Sequence, residues 1–101
     1  MKIIKCLSEM IGEELDDAEK YILKAHKYKD KYPEAADLFY WLSGEEMGHV
    51  NKLHDEVARL IEEYRKDNGD PPPDMQAIYD YLHEKHIEHA AEIKAMRDMY
   101  K

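Results

Sequence analysis

Helix breakers are almost absent from this chain, and where they do occur they cut it into three. Proline stands only at Pro33 and in the run Pro71-Pro72-Pro73. A proline inside a helix removes a hydrogen bond and clashes with the preceding turn, at about 3 kcal/mol or more. These four residues are therefore boundaries, and the segments between them are rich in Glu, Lys, Ala, Leu and Met, all good helix formers. The pattern predicts helices over about 3–30, 33–67 and 74–100. Pro33 suits the first turn of the second helix, with Glu34 favourable against its dipole. Asn68-Gly69 is a stop signal, and Asp74 is placed to cap the third helix. Three long helices with short connections make antiparallel neighbours, so the expected fold is all-α, an up-down-up three-helix bundle. At 101 residues the chain has room for one core, and residues 1–101 are read as a single helical domain.

Charge narrows the function classes. Fifteen basic residues against 23 acidic ones give a formal net charge of −8, which argues against a nucleic-acid partner, where a basic face is the usual footprint. One cysteine, Cys6, excludes an intramolecular disulfide framework, and no neighbouring base activates it. No apolar run approaches bilayer length, and the start MKIIKCLSEMIG is too short and interrupted for a signal peptide. The expectation is a cytoplasmic protein with no membrane partner.

The apolar periodicity assigns inward faces. The first helix has a seam of Ile4, Leu7, Ile11, Glu14, Ala18, Tyr21, Ala25 and Tyr28. The second reads Leu42, Glu46, His49, Leu53, Val57, Leu60, Tyr64, and the third Met75, Tyr79, Leu82, His86, His89, Ile93, Met96, Tyr100. Such stripes face the interior of a bundle, yet each is interrupted in its middle by Glu or His. A carboxylate there costs several kcal/mol unless it is paired, protonated or bound to metal. Counting turns outward from the loops puts Glu14 level with His49 and Glu46 one turn away, with Glu92 near His49 and His89 a turn beyond. Glu46-Met47-Gly48-His49 is a Glu-x-x-His pair whose two side chains share one helix face. Carboxylates mixed with imidazole suit Fe, Mn or Zn, whereas a purely structural Zn site favours thiolates.

A Glu on the first helix followed about thirty residues later by Glu-x-x-His on the second resembles the ligand half-set of ferritin-like di-iron carboxylate proteins. The stretch SGEEMGHVNKLHDEV, Ser43 to Val57, is similar to the second helix of rubrerythrins and encapsulated ferritins. The resemblance covers the first two helices. It implies that Glu14, Glu46 and His49 are metal ligands, with Glu46 bridging, and that iron is the cofactor, two ions per site, with Mn or Zn as alternatives. The third helix departs from the pattern, because it has no second Glu-x-x-His; Asp80-x-x-His83 is the nearest. Either two chains each donate a half-site, completing a larger bundle by dimerisation as in the encapsulated ferritins, or the third helix supplies His89 or Glu92 within one chain. A homo-oligomer, at least a dimer, is the expected assembly, because an unfinished bundle leaves a groove that a second copy closes. No encapsulation tail is evident at the C-terminus. The implied chemistry is oxidation of Fe(II) by dioxygen or peroxide.

A competing reading needs no metal: Glu14 pairs with His49 in a polar core layer of a helical interaction protein, and Trp41, Gly44 and Gly48 form its working surface. Two mid-helix glycines beside Tyr40 and Trp41 fit close approach of a second helix, or equally a tolerated pair facing solvent. His83, His86 and His89 recur at i+3 steps as one stripe, while His26 and His54 fall beside the seams and read as surface residues. Tyr21, Tyr28, Tyr64 and Tyr79 are most simply core.

Overall fold

A computed structural model describes residues 1–100 as three helices, α1 (Lys2–Tyr28), α2 (Pro33–Asn68) and α3 (Pro73–Tyr100), with no strand among them. The bundle is a rod of 56 × 18 × 18 Å. The α1–α2 turn begins two residues earlier than the sequence predicts. It is closed by Tyr32 N–H donating to Tyr28 O at 2.8 Å and Ala36 N–H to Tyr32 O at 2.9 Å. Helix α2 ends at Gly69, whose φ of 78° lies in the left-handed region that favours glycine, and whose N–H donates to Arg65 O at 2.9 Å. Helix α3 starts at Pro73. Asp74 therefore sits within its first turn, against the positive end of the dipole, rather than at the cap.

Helices α1 and α2 form a long antiparallel hairpin, while the backbone of α3 lies mainly along α1 and reaches α2 chiefly through long side chains. This asymmetry decides which residues are buried. Helix α1 buries Ile4, Ile11, Leu15, Ala18, Ile22 and Ala25, an arc rotated from the predicted seam so that Leu15 and Ile22 enter and Glu14, Tyr21 and Tyr28 fall half-buried on its edge. With neighbours on two sides, α1 buries the sector between them. Helix α2 buries Ala36, Ser43 and Val50 at heptad spacing, flanked by half-buried Phe39, Leu42, Glu46, Leu53 and Val57, whereas His49 is exposed. In α3 every predicted seam residue is at least half-buried, with Ile93 and Tyr100 fully so. The hairpin is tight in its middle because small residues meet there. Ser43, fully buried, donates its Oγ to the Ala18 carbonyl at 3.0 Å, satisfying the hydroxyl where no water reaches it.

The C-terminal end of α3 is latched to the hairpin. Tyr100 stacks on Tyr40 with ring centroids 4.9 Å apart, and its hydroxyl donates to Asp37 Oδ1 at 2.6 Å. His26 contacts Met96 O at 2.7 Å. The Arg97 guanidinium lies over the Tyr40 ring, 4.1 Å from its centroid, and donates to Tyr40 O at 2.7 Å. That guanidinium also accounts for Gly44, since a Cβ there would come within 2.9 Å of Arg97 Nη2. Gly44 thus makes room for a neighbour within the chain, so a second molecule is not needed to explain it. A Cβ at Gly48 would meet nothing within 4 Å. Gly48→Ala is accordingly expected to stabilise the chain by up to about 1 kcal/mol, read as a rise in Tm by circular dichroism. A fall would mean that another surface needs this position bare.

Burial, reinforced by the Asp37 carboxylate, pushes the Tyr100 hydroxyl up to about 12. Because the folded chain holds this proton more tightly than the unfolded one, whose tyrosines titrate near 10, the contribution is complete below about pH 10. It is lost as pH rises toward 12. Tyr100→Phe is expected to remove the late step from the tyrosinate absorbance titration and to flatten the fall in stability over that window.

Candidate metal centre

Glu14 leaves α1 on the side facing α2, one turn before Ala18. Glu46 leaves α2 about one turn after Ser43, and His49 about one turn further on. The close approach of the hairpin at Ala18 and Ser43 therefore brings the three side chains together, and one ligand atom from each lies within 4.8 Å of the other two. His49 Nδ1 is 3.3 Å from Glu14 Oε2 and 3.5 Å from Glu46 Oε2. The carboxylates are 25% and 18% exposed and the imidazole 54%, so the group is sheltered beneath and open above. As a donor set, two anionic oxygens and one imidazole nitrogen fit iron, manganese or zinc, and their mutual repulsion is relieved by a cation at the common focus. The residues therefore fit the metal that the Glu-x-x-His resemblance implies.

Helix α3 adds no ligand to this group. His89 faces the other side of α1, with Nε2 3.5 Å from Glu19 Oε2. Glu19 is five residues beyond Glu14, hence about 140° around the helix. Glu92 is exposed and stands outside the group. The turn count used to align the helices fixes level along the rod but not rotation about it, and α3 lies against the face of α1 turned away from Glu14. Completion within one chain by His89 and Glu92 is therefore not the arrangement found, whereas Glu14, Glu46 and His49 meet.

The contact the metal-free reading needs, His49 with Glu14, is present at hydrogen-bond distance. It serves equally as the ligand geometry before an ion enters. Sequence reasoning overlooked the support beneath the site. Ser43 reads as an ordinary polar residue, and only the short side chains at Ala18, Ala25 and Ala36 hint that the hairpin closes tightly there. Tyr21, stacked on Phe39 with ring centroids 6.4 Å apart, lies beyond the group toward the turn.

No helix among the described residues is long and apolar enough to cross a membrane. Comparison with curated proteins and with solved structures gives no match. The family model described as Rubrerythrin matches residues 5–101, extending across all three helices and including the one that lacks a second Glu-x-x-His. With nearly the whole chain matched and a carboxylate–histidine group formed by its first two helices, the protein belongs to the rubrerythrin family.

Proposed function

We propose that this protein binds iron at Glu14, Glu46 and His49, that two chains each contribute one such half-site to a di-iron centre, and that the centre oxidises Fe(II). The observation that carries the reading is the convergence of these three side chains on one point, in a member of a family for which iron binding is the expected property. Three protein ligands leave positions open on an ion, and the group opens outward through an imidazole more than half exposed. A facing copy could fill those positions by a two-fold contact. Glu46 is the more sheltered carboxylate and the one assigned to bridge. Iron is here the substrate: two Fe(II) give two electrons to dioxygen, which takes up two protons to leave as hydrogen peroxide, and two Fe(III) remain. The carboxylates favour the ferric product by their charge, and the surrounding acidic surface raises the local concentration of cations.

The test is an anaerobic Fe(II) titration of metal-free protein, followed by air and the near-ultraviolet rise of Fe(III), with molar mass measured by sedimentation in parallel. Saturation near one iron per chain, a dimer mass, and oxidation faster than the protein-free control is the expected result. Saturable binding by a monomer would refute the shared site. Oxidation no faster than the control would refute the ferroxidase activity. Absence of binding would return Glu14 and His49 to the role of a structural pair, with zinc and manganese titrations distinguishing loss of the site from a different metal.

A further inference from the structure

On the side of α1 turned away from the carboxylate group, α1 and α3 leave between them an open groove of about 700 Å³. Sites for small molecules span about 300–1,000 Å³ and often lie between the helices of a bundle. One wall is apolar and comes from Met75, Ile78 and Leu82 of α3, with Ile78 59% exposed. Helices α1 and α3 run parallel, so Lys2 and Lys5 stand at the end of the groove near the start of α3, with Gly12 and His86 at the other. We propose that this groove binds a single-chain fatty acid as its carboxylate, the head at Lys2 and Lys5 and the alkyl chain running over Met75, Ile78 and Leu82 toward Gly12.

Charge selects the head group. The chain as a whole carries −8, yet this groove sets the ammonium groups of Lys2 and Lys5 against the single carboxylate of Glu9. Among the described residues, no carboxylate lies within 4.0 Å of either ammonium. An anionic head supplies the missing partner through charge-assisted hydrogen bonds. The wall selects the tail, because an alkyl chain laid along Met75, Ile78 and Leu82 takes its own apolar surface and theirs out of water. Gly12 gives an independent sign. Glycine weakens a helix interior relative to alanine, and Gly12 has no positive φ to require it. A Cβ there would meet only His86 Nε2, at an ordinary 3.8 Å. No neighbour within the chain accounts for the glycine, whereas a bare helix surface deepens the groove where the tail ends. Lys2 to Gly12 is ten residues, about 15 Å along α1, which leaves room for an extended chain.

The groove is separate from the proposed iron site. Gly12 and Lys5 stand about 160° and 180° around α1 from Glu14. A second chain docked over Glu14, Glu46 and His49 therefore leaves the groove uncovered, and the proposal stands apart from the ferroxidase reading.

The experiment titrates the full chain with sodium laurate below its micelle concentration, by isothermal calorimetry at neutral pH. Saturation at one laurate per chain is expected, with octanoate weaker by about tenfold or more for its four fewer methylenes. Gly12→Leu, which fills the far end of the groove and raises helix propensity, is expected to weaken laurate at least tenfold without lowering Tm. Changing Lys2→Glu and Lys5→Glu together, both at exposed positions, is expected to do the same while sparing the fold by circular dichroism. Should Gly12→Leu fail to fold, the lysine pair carries the same expectation. Dodecyltrimethylammonium, which has the same tail and the opposite charge, is expected not to saturate. Absence of saturable laurate binding, or binding indifferent to both sets of changes, would overturn the proposal. Equal affinity for the cationic amphiphile would do so too, by showing that apolar surface alone is at work. A dimer by sedimentation that Gly12→Leu reduces to a monomer would give the groove to a second copy instead.

Discussion

Ala18→Leu is expected to lower Tm by about 10 °C or more and, in the fraction that still folds, to weaken metal binding. Ala18 is fully buried and its carbonyl accepts the Ser43 hydroxyl at 3.0 Å, so the added side chain has nowhere to go except between α1 and α2. Overpacking a core position costs about 1–3 kcal/mol and occasionally more, a large share of the 5–15 kcal/mol that holds a domain together. Here the strain falls on the spacing that brings Glu14 to Glu46 and His49, because Glu14 is one turn away on the same side of α1. The comparison is Ala35→Leu, the same change at an exposed position of α2, expected within about 0.5 kcal/mol of the parent. Thermal melts and Fe(II) titrations of the two variants check both effects. Equal melts would show that the hairpin can part at Ala18 without loss.

Glu46→Ala is expected to reduce Fe(II) affinity by about 100-fold or more, since even partners that only orient a ligand carry about 10–100-fold. Its neighbour Glu45 supplies the control: it is exposed, about 100° around α2 and outside the group, so Glu45→Ala removes the same charge from the same stretch with little change in affinity. Similar losses from both would mean that iron responds to the acidic surface as a whole and not to three placed ligands. His49→Ala is expected to follow Glu46→Ala while leaving the melt nearly unchanged, because its imidazole is more than half exposed.

Much of this is legible in the amino-acid sequence. Four prolines and a run of helix formers delimit the helices to within two residues. The Glu14, Glu46 and His49 trio follows from two helices joined by a short turn, where counting outward from the turn is a sound measure of level. The same counting fails for α3. Level along the rod leaves the rotation of a helix about its own axis free, and His89 meets Glu19 instead of the carboxylate group. Leu15 and Ile22 were missed because a seam drawn for one neighbour is rotated when α1 serves two. Gly44 has a neighbour within the chain that the sequence does not announce, Arg97, which approaches from a helix whose docking no local pattern specifies.

The unequal attachment of α3 divides the molecule into parts of different permanence. The hairpin of α1 and α2 keeps its own buried line, Ala18 to Ser43 included, and holds the three metal-directed side chains by itself. Helix α3 is secured by the Tyr100 latch at one end and by the Met1 amine donating to the Tyr79 hydroxyl at 2.9 Å near the other. Elements with few buried partners open below the global unfolding free energy. Amide hydrogens of α3 are thus expected to exchange through a partial opening that spares the hairpin, seen as lower protection in α3 than in α1 and α2 by native-state hydrogen exchange. Such an excursion bares the Ile11–Ile22 face of α1 while Glu14, Glu46 and His49 stay assembled, so the proposed iron site would outlast the bundle on a briefly separated two-helix unit.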